Sequence, residues 1–348
     1  MQLVSKTGVL IDNRSDYEKS KDYKHEEIAS GFTTYLWEER PAKAKYFFPY
    51  NQEYSLSCVA GGGAIVLEYL DGRVISKKDI YSRRVNYPGG GMMLHDVGNI
   101  LIQGACEEKY VPSQNYGENK MNERYAVTTD IIKSRANNKI RSYFYVSKID
   151  DIASVIKTSP VICFWFFDEN GREWKKHYPE IQFNFPSFVG SGVTRHQVAI
   201  VDAILINGKK YLVGQDTWGL GTGDGTDGNI RYISEEMVSK RMYGAIYSID
   251  DEVLKPETIE KPVYNYNTPL TVGAKGDQVM ALHRVLIHEG LLNIPAPTGF
   301  FAGLTRKAVK DLQTKYKSEI LTPVGLKNAT GYVGKSTNAF LNKKYGHQ

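Results

Sequence analysis

The alternation of apolar and polar positions predicts β-structure in the second half of the first 250 residues. A period of two recurs over residues 160–168, 196–205, 209–218 and 244–249, which is typical of strands. The middle two segments are joined by Ile206-Asn207-Gly208-Lys209, whose Asn-Gly pair favours a tight hairpin turn. We therefore predict an antiparallel sheet in this part of the chain.

Two earlier segments have the spacing of helices. Residues 57–70 and 92–103 carry apolar side chains that would share one face of a helix. Three consecutive glycines, Gly61 to Gly63, lower the helix propensity of the first segment, so a packing reason is required for them. Helices followed by strands predict an α+β domain.

A change in pattern marks a second domain. Residues 249–270 combine three prolines with alternating charges and show neither apolar period, which predicts a linker. Beyond it, residues 277–289 and 305–316 are amphipathic, and a third helix is predicted to begin at Ser336 or Thr337. The predicted division is a domain at 1–250, a linker at 251–267 and a small all-α domain of three helices at 268–348.

The charge is concentrated in the C-terminal domain. Residues 268–348 contain eleven lysines and arginines and four acidic residues, a net of +7, so the rest of the chain carries −2 of the total +5. A basic module on a nearly neutral body predicts a polyanionic partner, either an anionic cell-wall polymer or nucleic acid.

The remaining composition excludes several classes of protein. No run of 18 apolar residues and no signal pattern is present, so we expect neither a membrane span nor a secretion signal. Three cysteines do not make a disulfide framework, and no zinc-ligand spacing occurs, so no metal and no cofactor are expected. Asp224 and Asp227 are compatible with a calcium loop, but their spacing is not that of an EF-hand and favours a glycine-rich turn.

Among the cysteines, Cys58 is the best candidate for a nucleophile. It opens a predicted helix, where the helix dipole and unpaired N–H groups favour the thiolate. Cys163 lies in an apolar strand and is interpreted as a core residue, and Cys106 lies in a loop-like segment.

A cysteine nucleophile needs a base, a residue that orients the base and donors for an oxyanion. Gln52 stands six residues before Cys58, and its side-chain amide can donate to an oxyanion together with the Cys58 N–H. His196 begins one predicted strand and Asp216 ends the next, so the hairpin places them close together.

These segments, NQEYSLSCVAGGGA, RHQVAIVDA and VGQDTWGLGTGDGTDGNIRYIS, resemble the signature blocks of papain-like cysteine peptidases over about residues 46–249. The resemblance implies a papain-like fold, with Gln52, Cys58 and His196 in the catalytic roles given above and Trp218 covering the base. It also implies that Gly90 and Gly91 bind substrate backbone in the cleft.

The sequence departs from this family at several positions. Asp216 stands where the family usually has asparagine, which also orients an imidazole but should alter the pH profile. Val59 replaces the usual aromatic residue after the nucleophile. The 57 residues before Cys58 are too few for a typical inhibitory prosegment plus a mature N-terminus, so the enzyme is expected to be active as made.

The C-terminal domain resembles the small three-helix peptidoglycan-binding domain, with its Gly-x-x-Gly-Asp-x-Val-x-x-Leu opening at 273–282. The resemblance favours wall polymer as the partner. Nucleic acid is disfavoured because the domain has neither a helix-turn-helix nor an aromatic RNA-binding signature. We predict a cysteine endopeptidase anchored to the bacterial cell wall, in a cell-wall or extracellular location reached by lysis, by a phage particle or by a non-standard export route. A catalytically silent scaffold and a hydrolase of peptidoglycan stem peptides remain the alternatives.

Overall fold

The structure, a computed structural model, describes residues 8–42, 47–167, 194–219, 229–249 and 260–347. The chain forms two compact units. The first, here called the mixed unit, comprises Met1–Asp12 and Thr34–Ile249, and the second, the helical unit, comprises Asn13–Thr33 and Asp250–Gln348. This division differs from the predicted one because Asn13–Thr33 packs with the C-terminal helices.

The described helices have the following bounds. Those of the helical unit are α1 (Asp16–Lys19), α9 (Asp277–His288), α10 (Gly303–Lys315), α11 (Lys317–Ile320) and α12 (Lys335–Tyr345). Those of the mixed unit are α2 (Cys58–Asp71), α3 (Lys77–Tyr81), α4 (Leu94–Gln103), α5 (Glu118–Asn122), α6 (Thr129–Asn137), α7 (Ile149–Val155) and α8 (Glu235–Arg241). None of the helices within the described ranges is long and apolar enough to cross a lipid bilayer.

One antiparallel sheet forms the second half of the mixed unit, as the alternation predicts. Its described strands lie in the order β1-β6-β2-β3-β4-β5. Asn207 and Gly208 have φ angles of 51° and 72°, as a tight hairpin turn between β3 and β4 requires. The strands are β1 (Tyr143–Val146), β2 (Val161–Phe167), β3 (Thr194–Ile206), β4 (Lys209–Gln215), β5 (Ile230–Ser234) and β6 (Met242–Ser248).

Helix α2 is the centre of the mixed unit, and its glycines explain how closely it is packed. A Cβ on Gly61 would lie 2.5 Å from the methyl group of Thr217, and one on Gly62 would lie 2.1 Å from the buried side chain of Gln197. On the opposite side, a Cβ on Gly63 would lie 2.9 Å from Val97 of α4. The three glycines therefore let α2 pack closely against the sheet on one side and against helix α4 on the other.

The helical unit has a small core of its own. The residues predicted to be buried are Val279, Leu282, Leu286, Ala308 and Val309, and each is at most 1% exposed. The end of the predicted linker packs on this core: Tyr266 is 2% exposed, and its N–H donates to Asn342 over 2.6 Å. Residues 250–259, the start of that linker, lie outside the described residues.

The segment Asn13–Thr33 completes the helical unit. Glu27 is 1% exposed, and its carboxylate accepts hydrogen bonds from the N–H groups of Ala302, Leu304 and Thr305 at 3.0 to 3.2 Å. These groups lie at the N-terminal end of α10, so Glu27 caps this helix from a distant part of the sequence. Gly303 is required here because a Cβ would lie 2.3 Å from the backbone oxygen of Lys21.

Candidate active site

The predicted nucleophile lies at the beginning of the central helix. Cys58 is the first residue of α2, and it is fully buried. No described side chain caps this helix end, since Ser57 Oγ lies 2.7 Å from Ser55 Oγ instead. The N–H groups of the first turn and the helix dipole therefore stabilise negative charge at this position.

The structure brings the predicted base and its partner together. His196 lies near the start of β3, Asp216 follows β4, and His196 Nε2 is 2.7 Å from Asp216 Oδ1. The thiol of Cys58 lies beside the same imidazole and is among the groups that raise its pKa. The three side chains thus lie in a row, with the ring between the thiol and the carboxylate.

The environment of His196 raises the pKa of its imidazole. Burial alone would lower the pKa of this imidazole, but the charge of Asp216, the hydrogen bond to it and the contact with Cys58 outweigh burial and raise the pKa to about 9. A histidine in this state can be protonated at neutral pH, which allows an imidazolium beside a thiolate.

Two further side chains enclose the pair. The ring centroids of Trp218 and His196 are 4.8 Å apart, so the indole covers the imidazole. Arg231 on β5 is 3% exposed, and its Nε donates to Asp216 Oδ2 over 3.2 Å. The sequence analysis missed Arg231, which only the pairing of β4 with β5 brings beside Asp216.

The predicted oxyanion donor is held in place by several hydrogen bonds. Gln52 Oε1 accepts from the hydroxyl of Thr217 over 2.6 Å, which fixes the orientation of the amide. Its Nε2 donates to the carbonyl of Ser55 over 3.0 Å and keeps a second N–H for another acceptor. The backbone N–H of Gln52 donates to the carbonyl of Thr217 over 2.9 Å, so this loop is tied to the residue after Asp216.

A buried lysine, which the sequence analysis also missed, supports the same loop. Lys77 of α3 is fully buried, and its Nζ donates to the carbonyl of Asn51 over 2.6 Å. Burial lowers the pKa of this amine to about 8, although Glu108 and Glu53 oppose the change. Lys77 therefore fixes the residue that precedes the predicted oxyanion donor.

The two glycines predicted to bind substrate lie on the loop before α4. Gly91 has a φ of 77°, and its N–H donates to the hydroxyl of Tyr81, whereas the carbonyl of Gly90 accepts from Asn86. A Cβ on Gly90 would lie 2.1 Å from a methyl group of Leu56, which precedes the active-site helix. Gly90 thus needs glycine for packing and Gly91 for its backbone conformation, and their contact with a substrate stays a prediction.

A segment of the chain's own N-terminus lies beside the nucleophile. Met92 pairs with Val9 in a parallel bridge: its N–H donates to the carbonyl of Gly8 over 2.9 Å, and its carbonyl accepts from Leu10 over 2.8 Å. A Cβ on Gly8 would lie 2.4 Å from Cys58 Sγ. This geometry argues against the expectation, drawn from the length of the N-terminus, that the site is open as made.

The other candidates from the sequence lie apart from this constellation. Cys163 is buried in β2, and burial raises its thiol pKa well above the usual range. Cys106 is also buried, and burial together with Asp79 raises its pKa. The described residues contain no cluster of three or more metal-ligating side chains, and Asp224 and Asp227 lie outside them.

No protein-family model and no curated protein matches the chain. Solved structures do match. Xylellain, a cysteine protease from Xylella fastidiosa, aligns at 18% identity over 71% of this chain and 97% of its own, with a TM-score of 0.50. A procathepsin B from Trypanosoma congolense aligns at 14% identity over 70% and 86%, with a TM-score of 0.49. The mixed unit therefore has the fold of the papain-like cysteine proteases, as the sequence predicts.

Proposed function

We propose that the protein is a cysteine endopeptidase that works through Cys58, His196 and Asp216. The observation that best supports this function is the row of thiol, imidazole and carboxylate, in which His196 Nε2 lies 2.7 Å from Asp216 Oδ1 and Cys58 lies beside the ring. A nucleophile, a base in contact with it and an orienting group for the base make up the machinery of acyl transfer.

The reaction proceeds in two stages. His196 takes the proton of Cys58, and the thiolate attacks a peptide carbonyl, whose oxyanion accepts hydrogen bonds from Gln52 Nε2 and the Cys58 N–H. The C–N bond then breaks, and the imidazolium gives its proton to the departing amine. In the second stage His196 takes a proton from water, which attacks the thioester and releases the carboxylic acid and the free enzyme.

Hydrolysis of casein tests this proposal, and the full chain is assayed beside a chain shortened by residues 1–12, in which Gly8 no longer covers Cys58. Cys58→Ser and His196→Ala should abolish hydrolysis, because each removes a group that the first stage requires. Cys106→Ser is the matched control, since that thiol is buried away from His196, and it should retain activity. Equal casein hydrolysis by the shortened chain with and without Cys58→Ser would rule the mechanism out.

The substrate follows from the two resemblances in the sequence. The papain-like blocks favour protein, and the C-terminal domain favours peptidoglycan stem peptides as the second candidate. Purified stem peptides belong in the same assay beside casein. If neither casein nor stem peptides are hydrolysed and Cys58 does not react with thiol reagents, the protein is better explained as a catalytically silent scaffold.

We propose further that residues 268–348 hold the protein on the bacterial cell wall. The net charge of +7 in this region and the exposure of Lys317, Lys327 and Lys335 support contact with an anionic polymer. Replacing these three lysines by glutamate should weaken cosedimentation with purified peptidoglycan. The matched control replaces Lys133, Lys139 and Lys148, which are exposed on the mixed unit. Binding to duplex DNA that exceeds binding to peptidoglycan would contradict the proposal.

We also propose that the endopeptidase is latent as made. The contact of Gly8 with Cys58 and the pairing of the same segment with Met92 support this, because a substrate carbonyl must reach Cys58 Sγ. Activation then requires that the first residues leave the cleft or are cut.

A further inference from the structure

The carboxylate of Asp216 is enclosed more completely than orientation of an imidazole alone requires. Its side chain is fully buried, and Oδ1 accepts from the backbone N–H of Thr217 over 2.7 Å as well as contacting His196. Oδ2 accepts from Arg231 Nε over 3.2 Å. An anion buried this deeply is costly unless opposite charge lies beside it, and Arg231 supplies that charge.

The fold holds Arg231 firmly in this position. Arg231 pairs with Gly214 in the β4–β5 ladder, and the ladder continues through a 2.7 Å hydrogen bond from the N–H of Asp216 to the carbonyl of Asn229. The Asn229 side chain donates to the carbonyl of Asp216 over 3.0 Å. The guanidinium carbon is 5.7 Å from the ring centroid of Trp218, which also covers His196.

We propose that Arg231 is a positioning residue that balances the charge of Asp216 and so sets how strongly His196 holds its proton. The inference rests on the proposed function. A carboxylate without a nearby cation would hold the imidazolium proton more tightly still. The guanidinium beside Oδ2 offsets part of the charge of Asp216 and so moderates its effect on the imidazole.

The charged and titratable groups that the described residues place around His196 are few. Cys58 approaches from α2 and Asp216 from the end of β4, and Arg231 of β5 stands behind the carboxylate. Changes at positions 216 and 231 therefore alter the electrostatic field at the imidazole directly, while the nucleophile stays the same.

A double-mutant cycle tests this arrangement in the full chain and, because Gly8 covers Cys58, also in the chain shortened by residues 1–12. The variants are Asp216→Asn, Arg231→Gln and the two together, and kcat/KM for a fluorogenic peptide is measured against pH. Asp216→Asn removes the negative charge beside the ring and keeps the guanidinium, so it should move the alkaline limb down by about one pH unit and lower kcat/KM about tenfold or more. Arg231→Gln should move the limb up, and the double variant should recover most of the activity that Asp216→Asn loses.

Alkylation of Cys58 by iodoacetamide against pH gives a second readout that needs no substrate. It separates failure of the inference from failure of the proposed function, because the thiol reports the charge on His196 even when no peptide is cut. Circular dichroism confirms folding, and Arg135→Gln, which breaks an ion pair with Asp79 outside the site, is the matched control. An unchanged pH profile in Arg231→Gln, or a double variant no better than Asp216→Asn, would overturn the inference.

Discussion

At the scale of single residues, the protonation of His196 determines how the site behaves. The raised pKa means that the folded protein favours the imidazolium form over the range in which an unfolded chain loses it. The stabilisation is present in full below the ordinary value of 6.5 and is lost as the pH rises through about 9.

We therefore expect the alkaline limb of kcat/KM to fall near pH 9, because loss of the imidazolium proton removes the acid that protonates the leaving amine. The difference in unfolding free energy between the unchanged chain and His196→Gln should shrink over the same interval. Rate profiles and urea unfolding at several pH values measure both quantities. A limb near pH 6.5 would show that Asp216 does not act on the ring as described.

The sequence predicts the candidate catalytic residues better than it predicts the residues that hold them in position. Cys58, His196 and Asp216 can be found because a nucleophile, a base and its partner have recognisable types and spacing. Lys77 and Arg231 could not be found in this way. Each acts through a contact that depends on tertiary packing or strand register, and an isolated lysine or arginine carries no signal of burial.

At the scale of elements, helix α2 links the packing of the molecule to its chemistry. Gly61 lies against Thr217, and the hydroxyl of Thr217 fixes the amide of Gln52. The sequence signals this only as a glycine run that needs a packing reason, and the structure supplies the reason. The short strands β1 and β5 and the short helices α3 and α5 to α7 escaped prediction because each has only four to nine residues, too few to show a clear apolar period.

Gly61→Ala should lower kcat by about tenfold or more, since the added methyl group would displace Thr217 and with it Gln52, the proposed oxyanion donor. Gly117→Ala is the matched control, because nothing lies within 4 Å of a Cβ there. Stopped-flow assays of both variants measure the effect. Equal kcat values in the two variants, both correctly folded, would contradict the proposal that the packing of Gly61 against Thr217 positions Gln52.

Glu27 provides a second test at this scale, in the helical unit. Glu27→Gln should lower the unfolding free energy of that unit by about 1–2 kcal/mol, because an amide NH2 replaces one of the two oxygens that accept hydrogen bonds from the N-terminal end of α10. The exposed neighbour Glu26→Gln is the control. Thermal unfolding followed by circular dichroism measures the stability of each variant. An equal loss of stability in the two would mean that the Glu27 cap does not stabilise the helical unit.

At the scale of the whole molecule, successive segments of the chain belong alternately to the two units. It begins in the mixed unit, passes through the helical unit at Asn13–Thr33, returns to build the active site and ends in the helical unit. The sequence predicts two consecutive domains instead, because the role of Asn13–Thr33 depends on the burial of Glu27 against α10. Residues 8–10 therefore lie beside Met92 and Cys58 in the mixed unit, whereas Asn13–Thr33 belongs to the helical unit.

Removing residues 1–12 should raise the rate at which iodoacetamide modifies Cys58 by at least about tenfold, which corresponds to about 1.4 kcal/mol of lost contact. The reason is that Gly8 no longer covers the sulfur. A chain shortened by only its first six residues is the control. Equal rates in the two shortened chains would show that the N-terminal segment does not restrict access.

The most direct test of the central claim is active-site labelling by an epoxide inactivator of cysteine peptidases. The chain shortened by residues 1–12 is treated beside its Cys58→Ala variant, and intact mass, peptide mapping and casein hydrolysis are followed together. The account predicts one label per chain, located at Cys58, with hydrolysis lost in proportion. No label at Cys58 in a folded chain that also fails to cut casein would contradict the claim that this protein is a cysteine endopeptidase.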